Sequence, residues 1–278
     1  MKYWKQLPNN IHVAKYVECY WFLEKEPSDL GTNFPKLNPD PTAHLIIATA
    51  TQTFQYNQMD TSQTGCGNYW IFPHRNTFTM DHSDLFQIIG IKFKTGALYS
   101  LNTPFSGSKL EQIEEVNMNA LIASERFCSD LLLMDAAEKP EHISNVLDGI
   151  LAPWVLQSHE DKHSELVRLI LPLLDRTSIS EIGDVLHRSQ RTIERSFLRV
   201  TGLTLKQCQS MIRLEAILNY LYKLDDADID WADLVTQFEF SDQPHLIRHL
   251  KNAIGKTPGE YARERDLTID IYGGFELS

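Results

Sequence analysis

Between Ser189 and Gly202 the chain reads SQRTIERSFLRVTG. Ser189 is a good N-cap, because its hydroxyl can accept a bond from an otherwise orphaned backbone N–H at a helix start. Gly202 suits the left-handed residue just past a helix end. Ile193, Phe197 and Val200 fall at i, i+4 and i+7, so one stripe is apolar and can dock on a core. Arg191, Arg195 and Arg199 recur every four residues on another face, beside Gln190 and Glu194. A short helix with a polar ridge of Arg, Gln and Glu carries the donors and acceptors that reading base edges in a major groove requires. Alone, such a ridge is more often a solvated surface face, so the decision rests on its neighbours.

Upstream, Ser178-Ile179-Ser180-Glu181 has the spacing of a capping box, predicting a helix that runs through Leu186. His187 and Arg188 form the turn into Ser189. Two helices joined this tightly, the second bearing the basic ridge, fit a helix-turn-helix plan. Downstream, Thr204-Leu205-Lys206-Gln207 is another capping box, and a long helix over 206–224 places Met211, Leu214, Leu218 and Leu221 on one face. The pattern then returns. Arg195, Gly202, Thr204 and Gln207 align with Arg248, Gly255, Thr257 and Glu260 at a constant offset of 53 residues, and Ile193 and Phe197 fall on Leu246 and Leu250. A helix over 231–238 precedes the second candidate reading helix, 242–254, where Pro244 is tolerable in the first turn. Two such units joined by a rigid helix can set two reading helices about one DNA turn apart.

Composition bounds the rest. A chain of 278 residues, 42% hydrophobic and 23% charged, allows two or three ordinary domains, each with its own core. No run approaches the ~18 apolar residues of a membrane span and the N-terminus lacks a signal-peptide core, so a cytoplasmic location is the expectation. Cys19, Cys66, Cys128 and Cys208 are scattered, which argues against a zinc site or a disulfide framework. The net charge of −11 argues against general affinity for polyanions. Residues 188–213 nevertheless hold six Arg or Lys against the single acid Glu194, a local strip able to neutralise phosphate.

The first hundred residues read as β-rich, with runs at 44–56, 69–72 and 86–93 separated by turn clusters, which suggests a small barrel or sandwich. Helices are expected over 117–136 and 141–157, as a dimer seam or as a cover for the barrel, with a polar linker over 157–164. The fold class is therefore α+β: a β-rich domain over 1–105, a helical connector over 106–160, an all-α double helix-turn-helix domain over 161–266 and a tail over 267–278. An effector pocket in the β-rich domain is expected around Trp70, Phe72 and Phe93.

The residues from SEIGDVLHRSQRTIERSFLRVTG through WADLVTQFEFSDQPHLIRHLKNAIGKTPGEYAR resemble the AraC-type (AraC/XylS) transcription regulators over roughly the last hundred positions. NPDPTAHLII and GIKFKTGALYSL in the first half look like one sensor-domain class of that family. The resemblance implies a sequence-specific regulator of double-stranded DNA whose N-terminal domain binds a small-molecule effector, forms a homodimer, or both, with RNA polymerase as a further partner. It implies base reading by Arg191, Glu194 and Arg195, with Gln190 on the same ridge, and by Gln243, His245 and Arg248. Phosphate contacts are expected from Arg199, Thr204, Lys206, Lys251 and Thr257. The chain departs from the family's pattern at Glu239, where Gly is usual, and at Leu250 and Leu205, and the acid-rich stretch from Asp225 to Asp230 is expected to face away from phosphate.

Two rival readings stand beside this one. A small-molecule or metal enzyme in the β-rich half would need His44, His74 and His82 to converge, but their spacing lacks the His-x-His or paired helical histidines of metal sites. No nucleophile arrangement is legible, so neither a catalytic residue, a metal ligand nor a cofactor is assigned. A regulator acting mainly through protein partners would leave the second unit weak on DNA.

Overall fold

Strand β2 (Val17–Glu24) has the pattern that founds the sheet: buried residues recur along it because both of its faces are covered. The computed structural model describes residues 1–29, 32–58, 61–105, 107–125, 127–223 and 230–269. Strand β1 (Lys2–Gln6) and the short helix α1 (Ile11–Ala14) precede β2. After it come β3 (Lys36–Leu37), β4 (His44–Ile47), β5 (Thr53–Gln58), β6 (Thr61–Cys66), β7 (Tyr69–Ile71), β8 (Phe78–Met80), β9 (Gln87–Phe93) and β10 (Ile113–Glu115). They form two antiparallel sheets, one of order β1-β2-β9-β4-β7-β10 and one of order β3-β8-β5-β6. The run expected as a single strand over 44–56 is therefore broken: β4 lies in the larger sheet and β5 in the smaller. Strand β10 pairs with β7, so the sheet extends past residue 105 into the expected connector.

The two faces of the larger sheet feed different cores, as a period of two requires. Tyr20, Phe22, Leu45, Trp70, Ile89, Ile91 and Phe93 pack against helices. Leu23, Ile46, Tyr69, Ile71 and Ile88 face Phe54, Tyr56, Phe78 and Met80 of the smaller sheet. Gly90 sits opposite Trp21 in the register, and a Cβ there would stand 1.9 Å from the indole, so the ring lies where only glycine leaves room.

The helix expected over 117–136 is two pieces, α2 (Met118–Leu121) and α3 (Ser129–Glu138), followed by α4 (Pro140–Val155), which has proline in its first turn. Leu133, Leu147, Leu151 and Trp154 cover the sheet. Buried Asp148 ties α4 down, accepting from the Tyr20 hydroxyl and from the Asn9 and Asn10 N–H groups, each at 2.7 Å.

From α5 (Lys162–Ile170) onward the chain is helical: α6 (Ile182–Val185), α7 (Gln190–Thr201), α8 (Leu205–Lys223), α9 (Trp231–Gln237), α10 (Gln243–Ile254) and α11 (Pro258–Glu264). The box at Ser178 does not cap α6. Its hydroxyl bonds the Glu181 carboxylate at 2.6 Å, and the helix begins only at Ile182. Ile182, Ile193, Phe197, Leu203 and Met211 build one core, and Leu214, Leu218, Leu221, Leu234, Leu246, Leu250 and Tyr261 build the next. The apolar stripe of α8 is thus divided between them. Leu267 and Ile269, expected in the tail, are buried in the second core. The acidic stretch 225–229 and residues 270–278 lie outside the described residues. Among the described residues no helix is long and apolar enough to cross a membrane.

Candidate nucleic-acid interface

The first unit turns tightly for a steric reason. A Cβ on Gly183 would stand 2.8 Å from the Arg188 carbonyl, and His187 takes a left-handed φ of 51°. Ser189 then caps α7, its Oγ accepting from the Thr192 N–H, and Gly202 ends the helix at a φ of 74°. Ile193, Phe197 and Val200 are buried, while Arg191, Glu194 and Arg195 stand exposed on the opposite side. Among the described residues neither arginine has an internal hydrogen bond or ion pair. Gln190 is half-buried: its amide donates to Glu194 at 3.0 Å and its Oε1 is buried beside Gly183. Lys206 is exposed, and Thr204 closes a reciprocal capping box with Gln207. Arg199, expected on phosphate, instead donates Nε to the Tyr99 hydroxyl at 3.0 Å, which in turn donates to Asp161 at 2.8 Å.

The second unit repeats the plan with a longer turn. The left-handed residue is Glu239 (φ 54°), and three residues later Asp242 caps α10, accepting from the His245 N–H at 2.7 Å. In the first unit that separation is two. The side chain of Phe240 fills the extra space, with the Arg213 guanidinium 5.4 Å from its ring and the His245 and His249 rings at 5.2 and 5.3 Å. His245, expected on bases, is exposed but also meets Ser241 Oγ through Nδ1 at 3.2 Å. His249 points inward. Burial, with Arg213 and His245 adding to it, pushes its pKa down to about 4, so it is neutral at pH 7. Gln243, Arg248 and Lys251 are exposed; among the described residues the first two have no internal partner, and Lys251 lies near enough to Glu260 to favour its carboxylate. Thr257 forms a closed capping box with Glu260.

The β-rich domain grips both units. Ser108 donates to the Arg199 carbonyl at 3.3 Å, and Thr77 donates to the Ala253 carbonyl at 2.9 Å, so the C-terminal turn of each reading helix is held. Lys92 Nζ bridges the halves, 3.6 Å from Glu215 on α8, with Glu18 at 3.3 Å and Asp40 at 4.0 Å. Burial pushes the Glu215 carboxyl up; Asp40 suffers the same penalty but is held well below the carboxylate range by Lys92 and His44. Lys36 pairs with Asp266 at 2.8 Å, and Leu267 bridges to Lys36 in parallel. None of these contacts has a local sequence signal.

One expectation in the β-rich half is corrected. Trp70 and Phe93 are enclosed in the helix-facing core, 5.4 Å apart, with Trp154 edge-on to Phe93. Phe72 packs edge-on to Phe105 at 5.0 Å. Trp70 and Phe93 are packing residues and Phe72 borders a separate cavity beside Tyr99 and Phe105, while the face that turns toward the space between the sheets carries Ile71 and Ile88. Of the three histidines, His44 bonds Asp40 at 3.1 Å, His74 bonds the Phe72 and Asn38 carbonyls, and His82 stacks near Phe86, burial pushing its pKa to about 4. Among the described residues no group of three His, Cys, Asp or Glu side chains is placed to hold a metal ion.

Residues 182–264 match the family described as a helix-turn-helix domain, and residues 5–113 match a domain of unknown function, DUF6597. The bifunctional transcriptional activator/DNA repair enzyme AdaA of Bacillus subtilis (strain 168) is 27% identical over 116 residues, 40% of this chain and 53% of AdaA. The chain thus spans about half the length of that curated relative. Among solved structures, an apo ToxT variant from Vibrio cholerae strain SCE256 is 10% identical with a TM-score of 0.47, covering 95% of this chain and 100% of that one. The AraC-like transcriptional activator CuxR is 10% identical with a TM-score of 0.24, over 78% and 86% of the two chains. Two helix-turn-helix units sharing one long helix lie inside a region that matches the helix-turn-helix domain family from the first unit to the second, so the C-terminal part of the chain belongs to that domain family.

Proposed function

We propose that the two units read adjacent major-groove segments of one operator, through Gln190, Arg191, Glu194 and Arg195 on α7 and Gln243, His245 and Arg248 on α10. The observation that carries this is the exposure of Arg191, Glu194 and Arg195 on a helix whose other face is buried, with both arginines unclaimed among the described residues. Arg pairs with guanine O6 and N7, Glu accepts from cytosine N4, and Gln pairs with adenine. Lys206 and Lys251 act on phosphate, joined by Thr204, Thr257 and Arg199 once the last leaves Tyr99. The test is selection of bound sequences from a random DNA pool by the wild type and Arg195→Ala side by side. A two-part motif that loses information at one position in the variant is the expected result; identical motifs would remove Arg195 from the reading set.

The β-rich domain, with the connector and the double helix-turn-helix domain following in the expected order, acts as the control element through an effector and a homodimer contact. Support for the dimer comes from α3 and α4, where Leu131 (60% exposed), Met134 (49%) and Val146 (39%) leave an apolar face on the solvent side of the sheet cover. Leu131→Glu with Val146→Glu should lower the mass measured by light scattering from dimer to monomer. RNA polymerase is a further partner of this reading, and ToxT in an unsaturated-fatty-acid-bound form is a neighbour with a ligand of its own.

A further inference from the structure

Where the two halves meet, a cavity of about 100 Å3 opens between the sheets and α8. Trp21, Ile88 and Met80 line it from the sheets, Leu218 from α8, and Thr268 and Ile269 from the segment after α11. Its size is of the order of the ~150 Å3 apolar cavity that admits benzene. Two observations point to an occupant. Thr268 is 4% exposed, and among the described residues its Oγ1 has no hydrogen-bond partner. A buried hydroxyl left unpaired costs about 1–3 kcal/mol, and folded proteins keep few of them. The second observation is the charge balance. Lys92, at the polar end, already faces Glu18, Asp40 and Glu215. Lys5 and Lys92 line the cavity against Asp40 and Glu215, so the charges there are already balanced, and a further ion of either sign would have to leave water for a mostly apolar wall.

We infer that the cavity binds a small uncharged molecule, one ring or its aliphatic equivalent, whose single hydroxyl or carbonyl pairs with Thr268 Oγ1. The inference rests on the reading that the β-rich half controls DNA binding, and it gives that control a route. Thr268 follows Asp266, which pairs with Lys36 of β3 and, at 2.6 Å, with Lys256 at the end of α10. A ligand on Thr268 therefore draws the second reading unit and the sheet together.

Benzyl alcohol, benzoate and benzylamine share a ring and differ in charge, and each is titrated calorimetrically into the full chain. Benzyl alcohol should bind saturably and at least about tenfold tighter than either ion. Thr268→Val should weaken it about five- to tenfold while leaving the melting temperature unchanged or higher, and Thr268→Ser should restore it. Ion binding as tight as the alcohol's, no saturable heat from the alcohol, or an unchanged affinity in Thr268→Val overturns the inference. Anisotropy on the selected operator, with and without benzyl alcohol, separates this site from the reading beneath it. Thr268-dependent heat with unmoved DNA affinity upholds the cavity and removes effector control. A shift in DNA affinity that survives Thr268→Val keeps the control and removes the cavity.

Discussion

The reading helices of the two helix-turn-helix units share a length of 12 residues, N-caps of equivalent position and a left-handed glycine at the C-terminal end, yet they differ in what surrounds them. In the first, Phe197 fills the core, the turn is short, and three exposed arginines lie along α7. In the second, Leu250 replaces the ring, Phe240 wedges a longer turn open, and the polar face holds one arginine, one lysine and a histidine already paired with Ser241. The lesson is that a duplicated motif keeps its backbone signals while its chemistry drifts. The first unit is built to supply affinity and the second to refine placement.

That contrast can be broken first at the cores. Phe197→Ala, at a site with 0% exposure, should cost about 3–5 kcal/mol and Leu250→Ala about 2–5, measured by urea unfolding. A smaller loss for Phe197 than for Leu250 would reverse the ranking. On the selected operator, Arg195→Ala should cost about 1–3 kcal/mol and Arg248→Ala the lower end of that range. Equal losses on operator and random DNA would remove both from base reading. The pH dependence of the second unit turns on His249. Its folded pKa, near 4, lies below the unfolded value of about 6.5, so the unfolded state binds more protons between them, and stability falls as pH drops through that window. Partial exposure holds the effect to about 1 kcal/mol, and His249→Gln should flatten the slope of the unfolding midpoint between pH 6.5 and 4. The smallest effects belong to Lys206→Ala and Lys251→Ala. Each should weaken all sequences alike and reduce the salt slope by about one, and an unchanged slope removes that lysine from the phosphate contacts.

Much of this was legible locally. Ser189, Gly202, Asp242 and Gly255 act within a few residues of themselves, so their roles follow from spacing alone. The Ser178 box shared that logic and failed, because its hydroxyl found the Glu181 side chain before the backbone. Parity defeated the pocket assignment: Trp70 and Ile71 are adjacent in sequence, and only the pairing of β7 with β4 decides which one faces the helices. The run 44–56 hid a change of sheet because both faces of β4 are apolar. Contacts such as Thr77 with Ala253 join residues 176 positions apart, beyond the reach of periodicity.

The divided stripe of α8 has a consequence for how this domain melts. Leu205, Cys208 and Met211 belong to the first core, and Leu214, Ile217, Leu218 and Leu221 to the second. If either core unravelled alone, about half of α8 would be left without support, and isolated helices shorter than ~12–15 residues are marginal in water. Neither unit can therefore be lost without fraying the other's wall. What duplication made as two copies, the shared helix has fused into a single thermodynamic unit, expected to give one calorimetric transition where two separate modules would give two.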